Sequence, residues 1–287
     1  MSRIAYVNGR FTAHADAAVH IEDRGYQLAD GIYEVWAVMD GKLADAEGHF
    51  ARLDRSLGEL SIRSPMDRRA LTVILRETVR RNRVRNGLLY LQITRGVARR
   101  DHAFPAPGTP PSVVVTCRSI DRAAADARAA AGVAAFSQPE SRWARCDIKS
   151  IALLPNVLAK QSAKERGGYE AIFVDDLGLV TEGASSNVWI VDESGVLRTR
   201  DTQANILRGI TRSTLMQVIA AEALKVEERP FTLEEMHKAR EAFVTGAGSL
   251  VMPVVRLDGQ DIGDGKPGPV ATKLRTLYIQ KARETAV

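Results

Sequence analysis

Segments with helical periodicity alternate with short β-branched or aromatic segments along this sequence, and that alternation constrains the fold more than any other feature. Apolar residues recur at spacings of three and four within residues 46–60 and again around residues 71–79, which predicts two amphipathic helices. Strand-like segments lie around them, at residues 33–39, 88–96 and 112–117. The second half alternates in the same way. A mixed α+β or α/β fold is therefore predicted throughout.

The length of the chain favours two domains. At 287 residues it exceeds the size of most single domains. Residues 119–132 are rich in alanine and aspartate and have no clear apolar face, so we place an interdomain connection in the first part of this segment. The sequence thus predicts a small N-terminal α+β domain at residues 1–120 and a larger C-terminal domain at residues 121–287.

The charge and cysteine content argue against several classes of protein. The formal net charge is +5, but the arginines of residues 76–85 fit a solvated helix surface and no nucleic-acid-binding motif accompanies them, so no nucleic-acid partner is predicted. Cys117 and Cys146 form no CxxC pair and no metal-ligand pattern, so no metal is predicted. No apolar run approaches the roughly 20 residues that cross a bilayer, and the first residues lack the apolar core of a signal peptide. A cytoplasmic protein without a membrane partner is predicted.

Common catalytic motifs are missing from the sequence, which contains no HExxH, GxSxG or GxxxxGK[ST] pattern. Lys149 lies between apolar Ile148 and Ile151 at a predicted strand-to-helix junction. Partial desolvation of its ammonium would make a neutral amine available for Schiff-base formation, but a lysine in such a place is more often a surface or ion-paired residue. Glu182 could equally be a turn or helix-cap acid, and Arg52 a surface charge on the first helix. Local patterns leave these alternatives open.

Several segments taken together resemble the fold-type IV pyridoxal-5′-phosphate (PLP) aminotransferases, and among them the bacterial D-amino-acid transaminase group. The resemblance covers most of the chain, in order from about Glu22 to Pro253. The segments that carry it are EDRGYQLADGIYEV, HFARL, LQITRG with RRDHAFP, CDIKS with LAK, VTEGASSNV and ILRGITR. The resemblance implies two domains with the cofactor between them, the larger C-terminal domain being the cofactor-binding one.

The resemblance also implies how PLP is held. Lys149 would be the Schiff-base lysine and the proton shuttle, and Glu182 would pair with the pyridine nitrogen, so that the ring accepts electron density. Arg52 would bind the phosphate together with the backbone of Ile210 and Thr211. A helix is predicted to begin at these two residues, and the exposed N–H groups at such an end suit a dianion.

One segment departs from the pattern of the D-amino-acid enzymes. Where they usually place hydroxyl residues, this chain has Gly246 and Ala247 after Thr245, so phosphate contacts here would come from backbone N–H groups. The same stretch of branched-chain aminotransferases also contains glycine. An L-branched-chain or (R)-amine aminotransferase, or an aminodeoxychorismate-lyase-like enzyme of the same fold, therefore remains an alternative.

The substrate-binding residues follow from the same resemblance. The α-carboxylate would be bound by Tyr33, Arg100 and His102, because a guanidinium can donate two parallel hydrogen bonds to a carboxylate and a tyrosine supplies an O–H donor. Arg99 could take the place of Arg100. The family implies that the arginine and histidine come from the partner subunit of a homodimer with its active sites at the subunit interface. The predicted reaction is ping-pong transamination between a D-amino acid, of D-alanine or D-glutamate type, and a 2-oxo acid.

Overall fold

A computed structural model describes residues 3–203 and 206–287 of the chain. The chain divides into two compact units. Unit 1 contains the residues up to Asp121 together with two later segments, and unit 2 contains the rest. The later segments of unit 1 are Ile148–Ala152 and Thr285–Val287, and unit 2 consists of Arg122–Asp147 and Leu153–Glu284. The sequence-based division had placed residues 148–152 with the C-terminal half.

Unit 1 is built on an antiparallel sheet. Within the described residues this sheet has six strands in the order β2-β1-β6-β5-β3-β4. Its strands are β1 (Ile4–Val7), β2 (Arg10–Ala13), β3 (Gly31–Met39), β4 (Lys42–Leu43), β5 (Gly87–Thr94) and β6 (Ser112–Ser119). Its helices are α1 (Arg24–Leu28), α2 (Ala46–Glu59), α3 (Arg68–Arg81) and a 3-10 turn at His14–Asp16.

Strand β3 shows why this sheet packs against helices on one face. Successive side chains of a strand point to opposite faces, and Ile32, Glu34 and Trp36 are all completely buried while Tyr33 on the other face is half-buried. The indole of Trp36 packs 5.6 Å from the ring of Phe50 on α2. The amphipathic pattern of the sequence thus places the apolar side of α2 against β3. This packing brings Arg52 of α2 next to Glu34 of β3.

Unit 2 contains a mixed sheet flanked by helices. The described strands pair in the order β12-β11-β10-β13-β14-β7-β8-β9, with β15 on β14, and β7 runs parallel to both β8 and β14. The strands are β7 (Val133–Pro139), β8 (Glu170–Val174), β9 (Val180–Gly183), β10 (Asn187–Val191), β11 (Leu197–Thr199), β12 (Val226–Glu228), β13 (Glu241–Gly246), β14 (Leu250–Leu257) and β15 (Gln260–Asp261). The helices are α4 (Arg122–Ala131), α5 (Leu154–Glu165), α6 (Ile210–Ala221), α7 (Leu233–His237) and α8 (Pro269–Glu284).

Most elements predicted from periodicity are confirmed, including α2 and α3 in unit 1, and the helix predicted to begin at Ile210 and Thr211 is α6 in unit 2. Several elements were not predicted, among them α1, β4, α4, β9, β11, β12 and β15. Helix α4 buries only Ala129 of its ten residues, so its sequence has no apolar stripe to recognise, and the short strand β9 lies within a segment that sequence analysis treated as a turn. No helix in the described part of the chain combines the length and apolarity needed to span a bilayer.

Candidate active site

Lys149 belongs to a short segment that runs along the edge of β3 in unit 1. The backbone N–H of Tyr33 donates to the carbonyl of Lys149 at 3.0 Å, and the N–H of Ile151 donates to the carbonyl of Gly31 at 3.1 Å. This segment lies in the connection between strand β7 and helix α5, in agreement with the predicted strand-to-helix junction. A Cβ on residue 31 would lie 2.7 Å from the Ile93 carbonyl oxygen and 3.1 Å from the Ile151 side chain. Glycine at position 31 therefore permits the close approach that fixes the lysine backbone.

The amine of Lys149 faces an aromatic ring. Its Nζ lies 4.1 Å from the ring centroid of Tyr33, which stacks on Tyr90 with 5.7 Å between ring centroids. Burial, together with the neighbouring Tyr33, raises the pKa of Tyr90 to about 12, so this phenol stays neutral at physiological pH. Among residues 3–203 and 206–287, no carboxylate forms an ion pair with the Lys149 amine. An amine without such a partner suits attack on a carbonyl group once it is deprotonated.

Arg52 lies in a buried polar cluster on the opposite face of β3 from Tyr33. Its Nε and Nη2 donate to the two carboxylate oxygens of Glu34 at 2.7 and 2.8 Å, and Nδ1 of His49 lies 2.7 Å from the same carboxylate. Burial works against ionisation of Glu34, but the charge and hydrogen bonds of Arg52 and the hydrogen bond of His49 lower the pKa of this carboxyl to about 2. Burial also lowers the pKa of His49. Glu34 therefore holds the Arg52 guanidinium in a fixed orientation through two hydrogen bonds, one to each carboxylate oxygen.

Arg100 and His102 lie in the loop between β5 and β6, and both are exposed. Neither side chain makes a hydrogen bond or an ion pair within the described residues, and the same is true of the neighbouring Arg99. The backbone carbonyl of His102, by contrast, accepts from Arg24. The structure therefore holds the loop while leaving the predicted carboxylate-binding side chains facing solvent.

In unit 2, Glu182 lies on β9 and only 5% of it is exposed. One oxygen accepts from Nη1 of Arg142, and the other accepts from Nδ2 of Asn187 at 3.2 Å. The backbone N–H of Leu207 lies 3.2 Å from both oxygens. Arg142 is in turn bound by Glu140, with bonds of 2.9 and 2.6 Å. Because all of these partners are N–H donors, they stabilise the ionised carboxylate.

Helix α6 begins at Ile210, as predicted, and its first turn lies close to this carboxylate. The Asn187 amide that donates to Glu182 also donates to the carbonyl of Leu207, just before the helix. The first N–H groups of a helix have no acceptor within the helix, and no acceptor for those of Ile210 and Thr211 is found in the described part of the chain. These N–H groups and the helix dipole suit an anion.

The turn that contains Gly246 and Ala247 joins β13 to β14 and lies beside the start of β10. Asn187 pairs with Thr245 in the sheet, and a Cβ on Gly246 would come within 3.1 Å of the Ser185 carbonyl oxygen. Unit 2 therefore gathers Glu182, the start of α6 and this turn around the N-terminal end of β10. Three parts of the sequence that were assigned to one cofactor meet at one place.

Sequence analysis missed Glu34, Arg142 and Asn187, which hold predicted site residues in place. Glu34 carries the clearest signal, because strand alternation puts its carboxylate on the same face as Ile32 and Trp36, where a charge needs a partner. Arg142 and Asn187 show no such pattern, since their partners are distant in the sequence or lie on another element.

Comparison with known proteins identifies the family of this chain. A sequence model of the amino-transferase class IV family matches residues 31–257. The chain belongs to this family. Its relatives in the family include the D-alanine aminotransferase of Bacillus licheniformis, 42% identical over 269 residues that cover 94% of this chain and 93% of the relative. The D-alanine aminotransferase of Staphylococcus haemolyticus is 40% identical over 271 residues, covering 94% of each chain.

Solved structures of class IV aminotransferases share the fold. The branched-chain amino acid aminotransferase of Escherichia coli superposes with a TM-score of 0.91 at 22% identity, covering 98% of this chain and 95% of that one. A hypothetical aminotransferase from Mycobacterium tuberculosis, solved in a PLP-bound form, has a TM-score of 0.85 at 22% identity, with 98% and 99% covered. The family and the mixed fold predicted from sequence are therefore confirmed.

Proposed function

We propose that this chain transfers the amino group of a D-amino acid, of D-alanine or D-glutamate type, to a 2-oxo acid with the help of PLP. The two half-reactions would follow each other in a ping-pong sequence. The relatives that are 42% and 40% identical over nearly the whole chain are D-alanine aminotransferases, which supports the D-amino-acid substrate. Lys149 would carry the cofactor as a Schiff base and move the substrate proton.

The observation that carries this proposal is the position of the Lys149 amine, 4.1 Å from the ring of Tyr33. A lysine that serves as a nucleophile and a base needs a side chain held in one place and an amine that is not tied to a carboxylate. The backbone bonds on either side of Lys149 meet the first need. The phenol of Tyr33, which we propose binds the substrate, lies directly beside the Lys149 amine. A substrate whose α-carboxylate is bound by Tyr33 would therefore have its Cα close to Nζ of Lys149.

The side chains and backbone groups fit PLP on three counts. A buried carboxylate that accepts from N–H groups would favour a protonated pyridine nitrogen, a helix start with available N–H groups would bind a phosphate, and a lysine without a carboxylate partner would bind the aldehyde. PLP, when bound, supplies a protonated ring that withdraws electrons from the substrate Cα–H bond. The proposed contacts are Lys149, Glu182, Arg52, Ile210, Thr211, Gly246 and Ala247.

The roles of these groups differ. Glu182 would hold a proton on the pyridine nitrogen, and its own bonds to Arg142 and Asn187 would fix its orientation. Ile210 and Thr211 would bind the phosphate through backbone N–H groups, as would Gly246 and Ala247. Arg52 would add the charge that neutralises the dianion, with its guanidinium oriented by Glu34.

For the substrate we propose that Tyr33, Arg100 and His102 bind the α-carboxylate, with Arg100 and His102 supplied by the partner subunit of a homodimer. Their exposure in this chain supports that role. Hybrid dimers of a Lys149→Ala subunit and an Arg100→Ala subunit test it. If Arg100 acts across the interface, one active site of each hybrid is intact and the KM for D-alanine is that of the wild type. If it acts within its own subunit, every active site that retains Lys149 lacks Arg100, and only a raised KM is observed.

The activity itself is tested with D-alanine, L-leucine and 2-oxoglutarate as substrates of the purified enzyme. We expect pyruvate from D-alanine and no turnover of L-leucine; turnover of L-leucine alone would make the enzyme a branched-chain aminotransferase and refute the proposal. The cofactor assignment is tested by borohydride reduction, which should bleach the visible band and leave the cofactor mass on the peptide containing Lys149. Lys149→Ala should abolish the band, whereas Lys164→Ala, which removes an exposed lysine, should keep it.

We also propose a cytoplasmic location. Cys117 and Cys146 are both free, buried thiols, and unpaired cysteines are typical of proteins in reducing compartments. Fractionation of cells that produce the protein should recover the activity with cytoplasmic markers.

A further inference from the structure

The loop that carries Arg100 and His102 is tied to unit 1 before and after the two arginines at positions 99 and 100. On the N-terminal side, the backbone N–H of Arg24 donates to the carbonyl of Gly96 at 2.9 Å, and the N–H of Ala98 donates to the carbonyl of Glu22 at 3.3 Å. On the C-terminal side the ties are made by side chains of unit 1. The contacts that hold the loop therefore involve residues to which we have not assigned a role in binding the substrate or the cofactor.

The side chain of Arg24 holds the loop directly although it touches neither predicted carboxylate-binding side chain. Only 3% of this arginine is exposed. Its Nη1 donates to the carbonyl of Asp101 at 2.6 Å and its Nη2 to that of His102 at 3.5 Å, while Nε donates to Asp30 at 2.7 Å. A single guanidinium thus fixes the backbone at the residue after Arg100 and at His102 itself.

Arg95 makes a second tie, which reaches the loop at Phe104, on the C-terminal side of His102. It is 7% exposed, and its Nη2 and Nη1 donate to the carbonyls of Leu60 and Ser61 at 2.7 and 3.2 Å. The ring of Phe104 covers this guanidinium, with 3.6 Å between Cζ and the ring centroid. Although 63% of Phe104 is exposed, its ring lies over this guanidinium with the geometry of a cation–π interaction.

Asp30 joins the two arginines. Its carboxylate accepts from Nε of Arg24 at 2.7 Å and from Nε and Nη2 of Arg95 at 2.8 and 3.0 Å. Burial would raise the pKa of Asp30, but the hydrogen bonds and charges of Arg95 and Arg24 hold it below its ordinary value. Two nearly buried guanidinium groups that share one carboxylate and also donate to four fixed carbonyls have little freedom to rearrange.

We infer that this cluster positions the loop for substrate binding, an inference that rests on the proposed function of Arg100 and His102. We call the cluster the loop clamp; it consists of Arg24, Asp30, Arg95 and Phe104. By fixing the backbone around the two binding side chains, the clamp sets the affinity of the enzyme for the substrate α-carboxylate. It touches neither substrate nor cofactor, so its members are positioning residues, and loosening it should act on substrate binding alone.

The test uses the holoenzyme and two variants that loosen the clamp from different ends. Arg24→Met removes the bonds to the loop carbonyls, and Phe104→Ala removes an exposed ring, so the second variant should fold even if the first does not. We expect the KM for D-alanine to rise by about tenfold while kcat and the visible band of the cofactor stay within about twofold, as expected when only binding is lost. The matched control is Arg63→Met, because exposed Arg63 donates to the carbonyl of Gly108 later in the same loop; its KM should not change.

A second background shows whether the clamp acts through the two binding side chains. In an Arg100→Ala/His102→Ala protein, adding Phe104→Ala should leave the KM where it already is, because the groups that the clamp positions are gone. Trypsin offers a readout independent of catalysis, since it cleaves after Arg99 and Arg100, and cleavage of the Phe104→Ala holoenzyme there should be faster than that of the wild type.

The outcomes separate this inference from the proposed function. An unchanged KM in Phe104→Ala, or a loss of kcat, cofactor and affinity together, overturns the clamp whatever trypsin does. An equal rise of KM in the Arg100→Ala/His102→Ala background also overturns it. If the wild type does not transaminate D-alanine at all, the proposed function fails first, and faster tryptic cleavage would then show a clamp with no role in carboxylate binding.

Discussion

Replacing Glu34 with glutamine should destabilise the protein more than any change to a surface ion pair. The carboxylate is completely buried and accepts three bonds of 2.7 to 2.8 Å from Arg52 and His49. Glutamine has nearly the same shape, but it carries no charge and offers a single acceptor oxygen in place of two. Removing one partner from a buried pair leaves the other charge without compensation in a medium that solvates it poorly. We expect a loss of about 3–5 kcal/mol in the free energy of unfolding.

The pKa of the same residue supplies an independent magnitude. It falls from an ordinary 4.5 to about 2 in the folded protein, which at about 1.4 kcal/mol per pH unit corresponds to roughly 3 kcal/mol of stability. Because the folded-state pKa of Glu34 is depressed, this contribution is fully present above about pH 4.5 and is lost as the pH falls toward 2. The difference between wild type and Glu34→Gln should therefore shrink between these two pH values.

The measurement is urea unfolding of the cofactor-free protein at pH 7 and at pH 3, followed by tryptophan fluorescence. Trp36 reports locally, since its ring centroid lies 5.2 Å from that of His49. Glu77→Gln is the matched control: Glu77 also binds two arginines and its pKa is also lowered to about 2, but it lies at the solvated surface of α3, where little change is expected. A Glu34→Gln loss under about 1 kcal/mol, or one that is equal at both pH values, would show that the ionised Glu34 carboxylate does not stabilise the fold to this extent.

Three further predictions rest on single features. Gly209→Ala should weaken PLP binding by about tenfold in a cofactor titration, because its Cβ would lie 1.9 Å from Oδ1 of Asn187 and displace the start of α6; unchanged affinity would separate that helix end from the phosphate. Gly58→Ala should raise the free energy of unfolding by about 0.5–1 kcal/mol, measured by urea titration, since its Cβ meets nothing within 4 Å in α2. Burial raises the pKa of both Cys117 and Cys146 to about 11, so a thiol reagent at pH 8 should label them only on unfolding; rapid labelling of the native protein would contradict this.

Sequence periodicity predicted those elements that bury a continuous apolar stripe. Helix α2 is an example, because Phe50, Leu53 and Leu57 repeat at helical spacing and all are buried. Helix α4 is the counterexample, since a helix that buries Ala129 alone is held by contacts that leave no pattern. Prediction succeeded where the local spacing and the burial of side chains agree.

The candidate site was predictable only in part, for a related reason. The segment around Lys149 has no distinguishing local pattern, and the feature that sets it apart, its pairing with β3, joins residues far apart in the sequence. The start of α6 was predicted, because a helix beginning at Ile210 is visible in the local sequence. The contact of Arg142 with Glu182 could not be predicted, since neither residue carries information about the other.

The grouping of Ile148–Ala152 with unit 1 has a consequence for biosynthesis. Ile148 is 4% exposed within the core of unit 1, yet it is translated only after Arg122–Asp147, which belongs to unit 2. A nascent chain that has reached Asp121 therefore contains the six described strands of the first sheet but lacks the buried side chain of Ile148. The ribosome must add these later residues before Lys149 can pair with β3, so a chain cut after Asp121 would separate the segment that contains Lys149 from the strand with which it pairs.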